Sequence, residues 1–318
     1  MITAEMIKEK AKELGAAVCG IGKVYDEPNP QKDPRMILPN AKCIIGFGFA
    51  VPKGLYKALK VGNQNYTYTT LGVKYIDEEM AEIFLLKMGG MIEDQGYDAC
   101  LQKTVPNLRI KGDKETNPEV KDTYELVHAA AVEPGKPIPD VIIDFGKAAK
   151  ACGIGEIGLS GKIINRQYGP FMRYCFIITD APLKCDEKLQ EAVCDGCGAC
   201  ARACPGHAIS IKVDDASAEQ HSAETGKFGQ DVSGLDTWQC SVYYKGAHKS
   251  NPFMNEDFLK DHPQREAILN GDKRFDAESA REIYQEMNFL PNTQWGYYPC
   301  LCGKKCDIAC YEHLVGEL

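Results

Sequence analysis

The stretch Cys194-Asp-Gly-Cys197-Gly-Ala-Cys200-Ala-Arg-Ala-Cys204-Pro205 decides the architecture of the C-terminal part of this chain. Its spacing, C-x2-C-x2-C-x3-C-P, is that of a bacterial iron-sulfur run, in which a tight loop entering a short helix brings thiolates together around iron. In ferredoxins with two clusters, the fourth cysteine of such a run ligates the other cluster. The run therefore predicts a second group of cysteines elsewhere in the chain.

The late part of the sequence supplies that second group. The cysteines that follow the run in the sequence are Cys240, Cys300, Cys302, Cys306 and Cys310. The cross-over pattern predicts a first [4Fe-4S] cluster on Cys194, Cys197, Cys200 and Cys310. It predicts a second [4Fe-4S] cluster on Cys204, Cys240, Cys306 and Cys302, with Cys300 as the alternative to Cys302.

Disulfides and zinc are the two alternative uses of these cysteines. Disulfides are disfavoured because no secretory signal precedes the sequence and because a Cys-Pro after three closely spaced cysteines is typical of a cluster. Zinc ribbons need paired C-x2-C knuckles, which the triple spacing does not provide. We therefore expect metal clusters in a low-oxygen, anaerobic host.

Composition limits the class of protein. The chain has 318 residues, of which 44% are hydrophobic, so it can bury one large core or two ordinary ones. The formal net charge of -8 disfavours nucleic acid and anionic membranes as partners, because both are bound through an excess of Lys and Arg. With no leader or spanning stretch visible, we expect a cytoplasmic enzyme reduced by a low-potential protein donor such as ferredoxin or flavodoxin.

The N-terminal part reads as alternating helices and strands. Residues 4–14 predict a helix, and apolar runs at 17–22 and 41–49 predict buried strands. Apolar residues at helical spacing predict a core-facing helix over 74–96. This alternation predicts an α/β domain. Residues 109–121 are charged and without an apolar pattern, so we expect a surface loop there.

The middle of the chain carries an ordered set of short motifs. Cys152-Gly-Ile-Gly-Glu-Ile-Gly158 is followed by Gly161-Lys-Ile-Ile-Asn, Tyr168-Gly-Pro, Arg173 and Thr179-Asp-Ala-Pro-Leu183, and then by the cysteine run. This order resembles the epoxyqueuosine reductase and reductive dehalogenase superfamily. Leu235-Asp236-Thr-Trp238-Gln-Cys240 also resembles the family position at which a lone cysteine ligates the second cluster.

The resemblance implies a fold, cofactors and site residues. It implies an α/β (α+β) nitroreductase-like corrinoid-binding domain over residues 1–184, and a bacterial ferredoxin-like two-cluster domain over 185–318. Cobalamin is then the implied cofactor beside the clusters, with FMN as a less favoured alternative. The residues expected to approach the corrinoid are Gly153, Gly155, Gly158, Tyr168 and Arg173. For the glycines, the alternative is an ordinary turn that ends a helix.

Some family features are missing. Epoxyqueuosine reductases carry an acidic residue in an Asp-x-x-Pro-x-x-Glu setting, and the nearest candidate, Asp144, lacks that Pro and Glu. The acidic balance and the absence of C-terminal helical repeats also disfavour a tRNA substrate. Respiratory dehalogenases are usually longer and exported. A small molecule is therefore the expected substrate.

Five residues are candidates for the proton donor. One is Tyr168, for which a role in lining the cofactor is preferred, and each of the other four has a structural alternative. Tyr66 and Tyr68 could belong to a strand with one aromatic face on the core. His128 lies in an apolar stretch, where a buried, hydrogen-bonded histidine is the alternative. Asp144, near a predicted helix start, could act only on the helix dipole.

The sequence leaves two functional classes in competition. The first is a reductase in which the two clusters pass electrons to a corrinoid and a small-molecule substrate. The second is an electron-transfer protein that reduces a partner, such as a corrinoid protein, and has no substrate of its own. The sequence does not predict the oligomeric state.

Overall fold

A computed structural model describes residues 2–30, 32–104, 109–111, 124–126, 136, 140–211, 234–287 and 299–318. The strands are β1 (Val18–Lys23), β2 (Cys43–Ala50), β3 (Ala99–Gln102), β4 (Arg109–Lys111), β5 (Tyr124–Leu126), β6 (Glu156–Ile157), β7 (Ile163–Ile164) and β8 (Met172–Thr179). The first helices are α1 (Ala4–Glu13), α2 (Pro34–Ile37), α3 (Lys53–Lys60), α4 (Asn65–Thr69), α5 (Ala81–Glu93) and α6 (Phe145–Ala151). The later ones are α7 (Ala199–Ala203), α8 (Thr237–Tyr244), α9 (Arg265–Asn270), α10 (Ala277–Glu286) and α11 (Lys305–Leu314).

The main sheet has four strands in the order β1-β2-β8-β3, and every neighbouring pair is antiparallel. The two central strands pair in full register, from Cys43 opposite Thr179 to Ala50 opposite Met172. Their sequences are nearly continuous apolar runs, because helices cover both faces of the sheet. The mixed α/β class predicted from the sequence is confirmed, although the sheet is antiparallel.

Two core clusters lie on the two faces of this sheet. One cluster contains side chains of α1 and α5 and the β2 side chains that point toward these helices. The other contains side chains of α6 and the β2 side chains on the opposite face. The first cluster also includes Cys300, Ile308 and Tyr311, near and on α11. The last helix is therefore part of the N-terminal core, and the division at residue 184 stays a prediction.

Several sequence expectations change in detail. The helix predicted over 74–96 is α5, preceded by two π-helical segments, Thr70–Lys74 and Ile76–Met80. The expectation of a loop over 109–121 is wrong at its start, because Arg109–Lys111 pairs with Tyr124–Leu126 as a two-stranded ribbon. The two strands of this ribbon are short and charged, and they lack the alternation of apolar and polar residues from which a strand is predicted. His128 lies outside the described residues.

The C-terminal part consists of short helices around the cysteines. Helix α11 packs on α7, and a small core of Cys200, Ala201, Cys204, Ala208 and Ile209 lies beside them. Residues 263–287 form two helices, α9 and α10, because Gly271 ends α9 in the left-handed conformation, with φ of 87°. Within the ranges that the structure describes, the helices are all too short or too polar to cross a membrane.

Candidate metal centre

The cysteine run folds as a tight loop and a short helix, as its spacing predicts. Gly198 precedes α7 in the left-handed conformation, with φ of 71°, which a residue with a Cβ adopts only at a cost. The Asp195 carboxylate accepts a hydrogen bond from the Cys197 amide at 3.0 Å. The Arg202 guanidinium donates to the Cys197 carbonyl at 2.9 Å. These contacts fix the loop that carries the first three cysteines.

A pocket that is partly open to solvent lies at this loop, and four thiols line it: Cys194, Cys197, Cys200 and Cys310. Backbone amides point at two of these sulfurs, from Leu159 to Cys194 and from Ala199 to Cys197, each at 3.5 Å. Amide donors of this kind stabilise cluster sulfurs and tune their potential. The donor set and the pocket fit a [4Fe-4S] cluster.

The glycine-rich segment supports this pocket. Gly158, Leu159 and Ser160 line it, and the Glu156 carboxylate accepts a hydrogen bond from the Cys194 amide at 3.0 Å. Residues 156–160 thus hold the start of the cysteine run. Sequence reasoning assigned this segment to a corrinoid and missed its contact with the first cysteine group.

A second group of thiols lies near α7. Cys240 and Cys306 pack against the small core that contains Cys204, and Cys302 is close enough to all three to raise their pKa values. The Ala208 amide donates to the Cys204 sulfur at 3.3 Å. The four predicted thiols of the second cluster are therefore brought together, and they also fit a [4Fe-4S] cluster.

Cys300 and Cys302 face different surroundings, although their sulfurs are 3.7 Å apart. Cys300 is fully buried in the N-terminal core, where Tyr68 and Tyr244 are its neighbours. Cys302 faces Cys204 and Cys240. This arrangement favours Cys302 over Cys300 as the ligand.

A buried histidine holds the loop between these two cysteines. His248 is 2% exposed, and its Nε2 lies 3.1 Å from the Leu301 carbonyl, while its Nδ1 lies 3.0 Å from the Ser250 hydroxyl. Burial lowers the pKa of His248 to about 4, so the ring is neutral at pH 7. A neutral ring that donates from Nε2 to Leu301 and accepts at Nδ1 satisfies both contacts.

Burial also controls the protonation of the ligand thiols. It raises the pKa of Cys240 and of Cys310 to about 12. These thiols keep their protons at neutral pH until iron replaces them, so cluster assembly releases protons.

A set of buried charges surrounds the second group. Lys304, whose side chain is 13% exposed, follows Cys302, and its ammonium lies 3.9 Å from the Asp307 carboxylate. Lys162 lies 3.6 Å from the same carboxylate, which in turn accepts from the Cys306 thiol at 3.5 Å. Burial disfavours the charged form of Lys304, but Tyr68 and Asp307 keep its pKa well above the usual value. Sequence reasoning missed these residues, although a Lys and an Asp between ligand cysteines are a visible signal.

Two of the predicted catalytic residues lie on α4, which is a helix and not the strand considered from the sequence. Tyr68 is buried, its hydroxyl is 3.3 Å from that of Tyr56, and its ring centroid is 5.9 Å from the Lys304 ammonium. Burial raises the pKa of Tyr68 well above its usual value, so the phenol keeps its proton. Tyr66 is half-buried on the same helix. The structure therefore places Tyr68 beside Lys304 and Cys300.

Asp144 has a local structural role. It is fully buried and is the N-cap of α6, where its carboxylate accepts from the Lys147 amide at 2.9 Å. Its own amide donates to the Tyr25 hydroxyl at 3.0 Å. These contacts match the structural alternative considered for it, and its catalytic role stays a prediction.

The residues expected to approach a corrinoid contact other parts of the protein. A Cβ on Gly153 would lie 2.6 Å from the Glu187 carbonyl, and one on Gly155 would lie 2.8 Å from the Ile164 carbonyl. Arg173 forms a two-pronged ion pair with Asp77 on the second π-helical segment. The Tyr168 amide donates to the Asn165 side chain at 3.2 Å. Gly158 lies at the first thiol pocket, and the role of these five residues toward a corrinoid stays a prediction.

Comparison with known proteins agrees with the iron-sulfur motif and the superfamily resemblance that were noted in the sequence. Residues 188–210 match the 4Fe-4S binding domain family. Epoxyqueuosine reductase from Bacillus cereus is 25% identical over 189 residues, 58% of this chain and 41% of the relative. Tetrachloroethene reductive dehalogenase from Dehalobacter restrictus is 30% identical over 111 residues, 34% of this chain and 20% of the relative. The chain thus spans less than half the length of these curated relatives.

Among solved structures, epoxyqueuosine reductase with an epoxyqueuosine-modified tRNA-Tyr stem loop aligns with 98% of this chain and 81% of its own, at 15% identity and a TM-score of 0.47. The superfamily resemblance noted from the sequence is confirmed by the sequence relatives. The expectation that nucleic acid is not a partner gains no support from these relatives.

Proposed function

We propose that this chain is an iron-sulfur reductase that carries two [4Fe-4S] clusters and delivers electrons one at a time to a small-molecule substrate. The observation that carries this proposal is the gathering of two groups of thiols near α7, with one cysteine of each group on α11. The first group lies at a pocket that is partly open to solvent, where a protein electron donor has access. Cys302 of the second group packs against the N-terminal core.

The positions of the two groups suggest a route for electrons. Cys194, Cys197, Cys200 and Cys310 would hold the cluster that accepts electrons from a low-potential donor, and Cys204, Cys240, Cys302 and Cys306 would hold the cluster that supplies them to the substrate. For a halogenated substrate, two electrons and one proton would replace the halogen by hydrogen and release halide. For an epoxide, two electrons and two protons would give the alkene and water. Tyr68 stays a proposed proton donor: burial raises the pKa of its phenol well above the usual value, which makes it a weak acid that only a strong base, such as a product carbanion, would deprotonate.

A corrinoid is the further cofactor that the resemblance implies, and cobalt would supply a strong nucleophile or a coordination site for the substrate. The described residues at the five implied positions pack within the protein, so no step of the proposal passes through it.

The test is anaerobic purification of the full chain with cobalamin supplied, followed by iron, sulfide and cobalt measurement on one sample. We expect about eight irons per chain for two cubane clusters. Turnover is then measured as oxidation of reduced methyl viologen with a halogenated phenol, and in parallel with an epoxyqueuosine-containing tRNA stem loop. About four irons would contradict the two-cluster proposal. Eight irons with no turnover of either substrate, but with reduction of an added corrinoid protein, would instead favour an electron-transfer protein.

A further inference from the structure

The two thiol groups differ in the charges that surround them. Around the first group, the Asp195 carboxylate pairs with His313 at 2.6 Å, and both side chains are exposed. The Arg202 guanidinium near this group is also exposed. Water screens exposed charges, so their effect on a cluster is small.

The second group has a buried cation. The Lys304 side chain is 13% exposed, and its ammonium lies 5.3 Å from the Tyr244 ring centroid and 5.9 Å from the Tyr68 ring centroid. These rings exclude water from one side of the ammonium. The charge of Lys304 therefore acts on the nearby sulfurs through a medium of low dielectric constant.

The backbone holds Lys304 in this place. It is the residue before α11, between Cys302 and Cys306, and it has a φ of 48°, in the left-handed region that a lysine rarely adopts. A strained conformation of this kind persists where the surrounding structure requires it, and it is found at functional sites.

The neighbouring carboxylate does not neutralise Lys304 completely. Asp307 is 0% exposed at its side chain and lies closer to Lys162, at 3.6 Å, than to Lys304, at 3.9 Å. Two ammonium groups thus share one carboxylate, so Asp307 does not by itself balance the charge of Lys304 beside Cys302 and Cys306. The Arg173 and Asp77 pair nearby is balanced.

Reduction adds one electron to a cluster and so increases its negative charge. A nearby positive charge stabilises the reduced form more than the oxidised form, and this raises the reduction potential. We propose that the buried ammonium of Lys304 raises the reduction potential of the second cluster above that of the first, and so directs electrons from the first cluster to the second. This inference rests on the proposed two-cluster reductase.

The inference is tested by a redox titration of the anaerobically reconstituted full chain, followed by electron paramagnetic resonance of the reduced clusters. For Lys304→Gln we expect the higher of the two potentials to fall while the lower one stays. A tenfold decrease in the equilibrium constant for reduction corresponds to about 59 mV for a one-electron couple, and we expect a shift of at least this size. Lys304→Arg keeps the charge and should stay close to the wild-type potential.

Lys305→Gln is the matched control. Lys305 is the next residue, but it is exposed and donates to the Ser250 hydroxyl at 2.7 Å, so its loss should leave both potentials unchanged. Asp307→Asn removes the opposing charge and should raise the higher potential. This second variant decides the question if Lys304→Gln does not assemble its second cluster.

Iron content distinguishes a failure of the two-cluster proposal from a failure of the role proposed for Lys304. About four irons in the wild-type protein would overturn the two-cluster function and this inference with it. About eight irons with equal potentials in the wild type and Lys304→Gln, or with a shift of only the lower potential, would overturn the role of Lys304 and leave the reductase proposal intact. An unchanged potential in Asp307→Asn would also count against the inference.

Discussion

At the scale of single residues, the surroundings of each thiol distinguish cysteines that look equivalent in the sequence. Cys300 and Cys302 differ by two positions, yet one lies in the N-terminal core and the other faces Cys204 and Cys240. The same contrast separates Lys304, which is nearly buried, from the exposed Lys305. Burial changes the free energy of ionising a side chain far more than the type of the adjacent residue in the sequence does.

The choice between Cys300 and Cys302 gives the first prediction. Cys302→Ala removes a ligand of the second cluster, so the purified protein should hold about four irons rather than about eight. Cys300→Ala removes a buried thiol that packs in the core, so iron content should stay near that of the wild type. Anaerobic iron and sulfide analysis of the two variants is the measurement. The ligand assignment would be reversed if Cys300→Ala were the variant that loses iron.

His248 gives a prediction about pH. Burial lowers its pKa from 6.5 to about 4 in the folded protein, so the unfolded chain binds more protons than the folded one between these values. The stability that His248 contributes is therefore complete above pH 6.5 and is lost as the pH falls toward 4. At pH ~5.5 the loss is ~1 kcal/mol.

The measurement is the melting temperature at neutral pH and at pH ~5.5, for the wild type and for His248→Gln. The glutamine cannot titrate, so the wild type should lose more melting temperature on acidification than the variant. Equal losses in both proteins would show that other groups cause the acid sensitivity.

At the scale of elements, the C-terminal end of α6 explains why residue 153, one of the glycines expected near a corrinoid, is a glycine. Gly153 has a φ of 71°; its amide donates to the Lys150 carbonyl at 3.1 Å, and the Ile154 amide donates to the Ala149 carbonyl at 3.0 Å. This is a Schellman motif, in which a left-handed residue ends the helix and satisfies its last carbonyls. The helix end then leads directly into residues 156–160, which support the first thiol pocket.

Gly153→Ala should destabilise the protein by ~2 kcal/mol or more, because it adds left-handed strain and a Cβ that would meet the Glu187 carbonyl. Gly62→Ala is the matched control: Gly62 has a similar φ of 78°, but no atom lies within 4 Å of an added Cβ. That variant should carry the strain alone, ~1 kcal/mol. Chemical denaturation measures both, and similar losses in the two variants would show that the close contact adds nothing.

At the scale of the whole molecule, α11 connects the two thiol groups to the N-terminal core. It carries Cys306 of the second group and Cys310 of the first. On the same helix, the Tyr311 ring stacks on Phe171 with centroids 4.3 Å apart, and Phe171 stacks on Tyr56 at 3.5 Å. Folding of the N-terminal core and assembly of both clusters are thus expected to be coupled.

Tyr311→Ala should therefore reduce stability by ~3 kcal/mol or more, as expected for an aromatic ring removed from a core. It should also lower the iron content of both groups, because the helix that carries Cys306 and Cys310 loses its stacked ring in the N-terminal core. Tyr311→Phe keeps the stacked ring and should behave like the wild type. Thermal unfolding and iron analysis test this, and a loss of stability with full iron content would show that the clusters assemble independently of this packing.

The sequence by itself determined the ligand chemistry and the class of the fold. Four cysteines at C-x2-C-x2-C-x3-C-P spacing lie within a loop and one turn of helix, so local geometry is enough to predict a cluster from them. The apolar runs that form β1 and β2 predicted buried strands for the same local reason.

Only the tertiary structure decided which distant residues meet. It brought Glu156 and Leu159 to Cys194, gave Gly153 to a helix end, and placed Asp144 at the N-cap of α6. It also buried Lys304 beside the second thiol group, between Tyr68 and Tyr244. These outcomes depend on the packing of elements far apart in the chain, and burial, which sets the strength of a charge, is a property of that packing rather than of spacing.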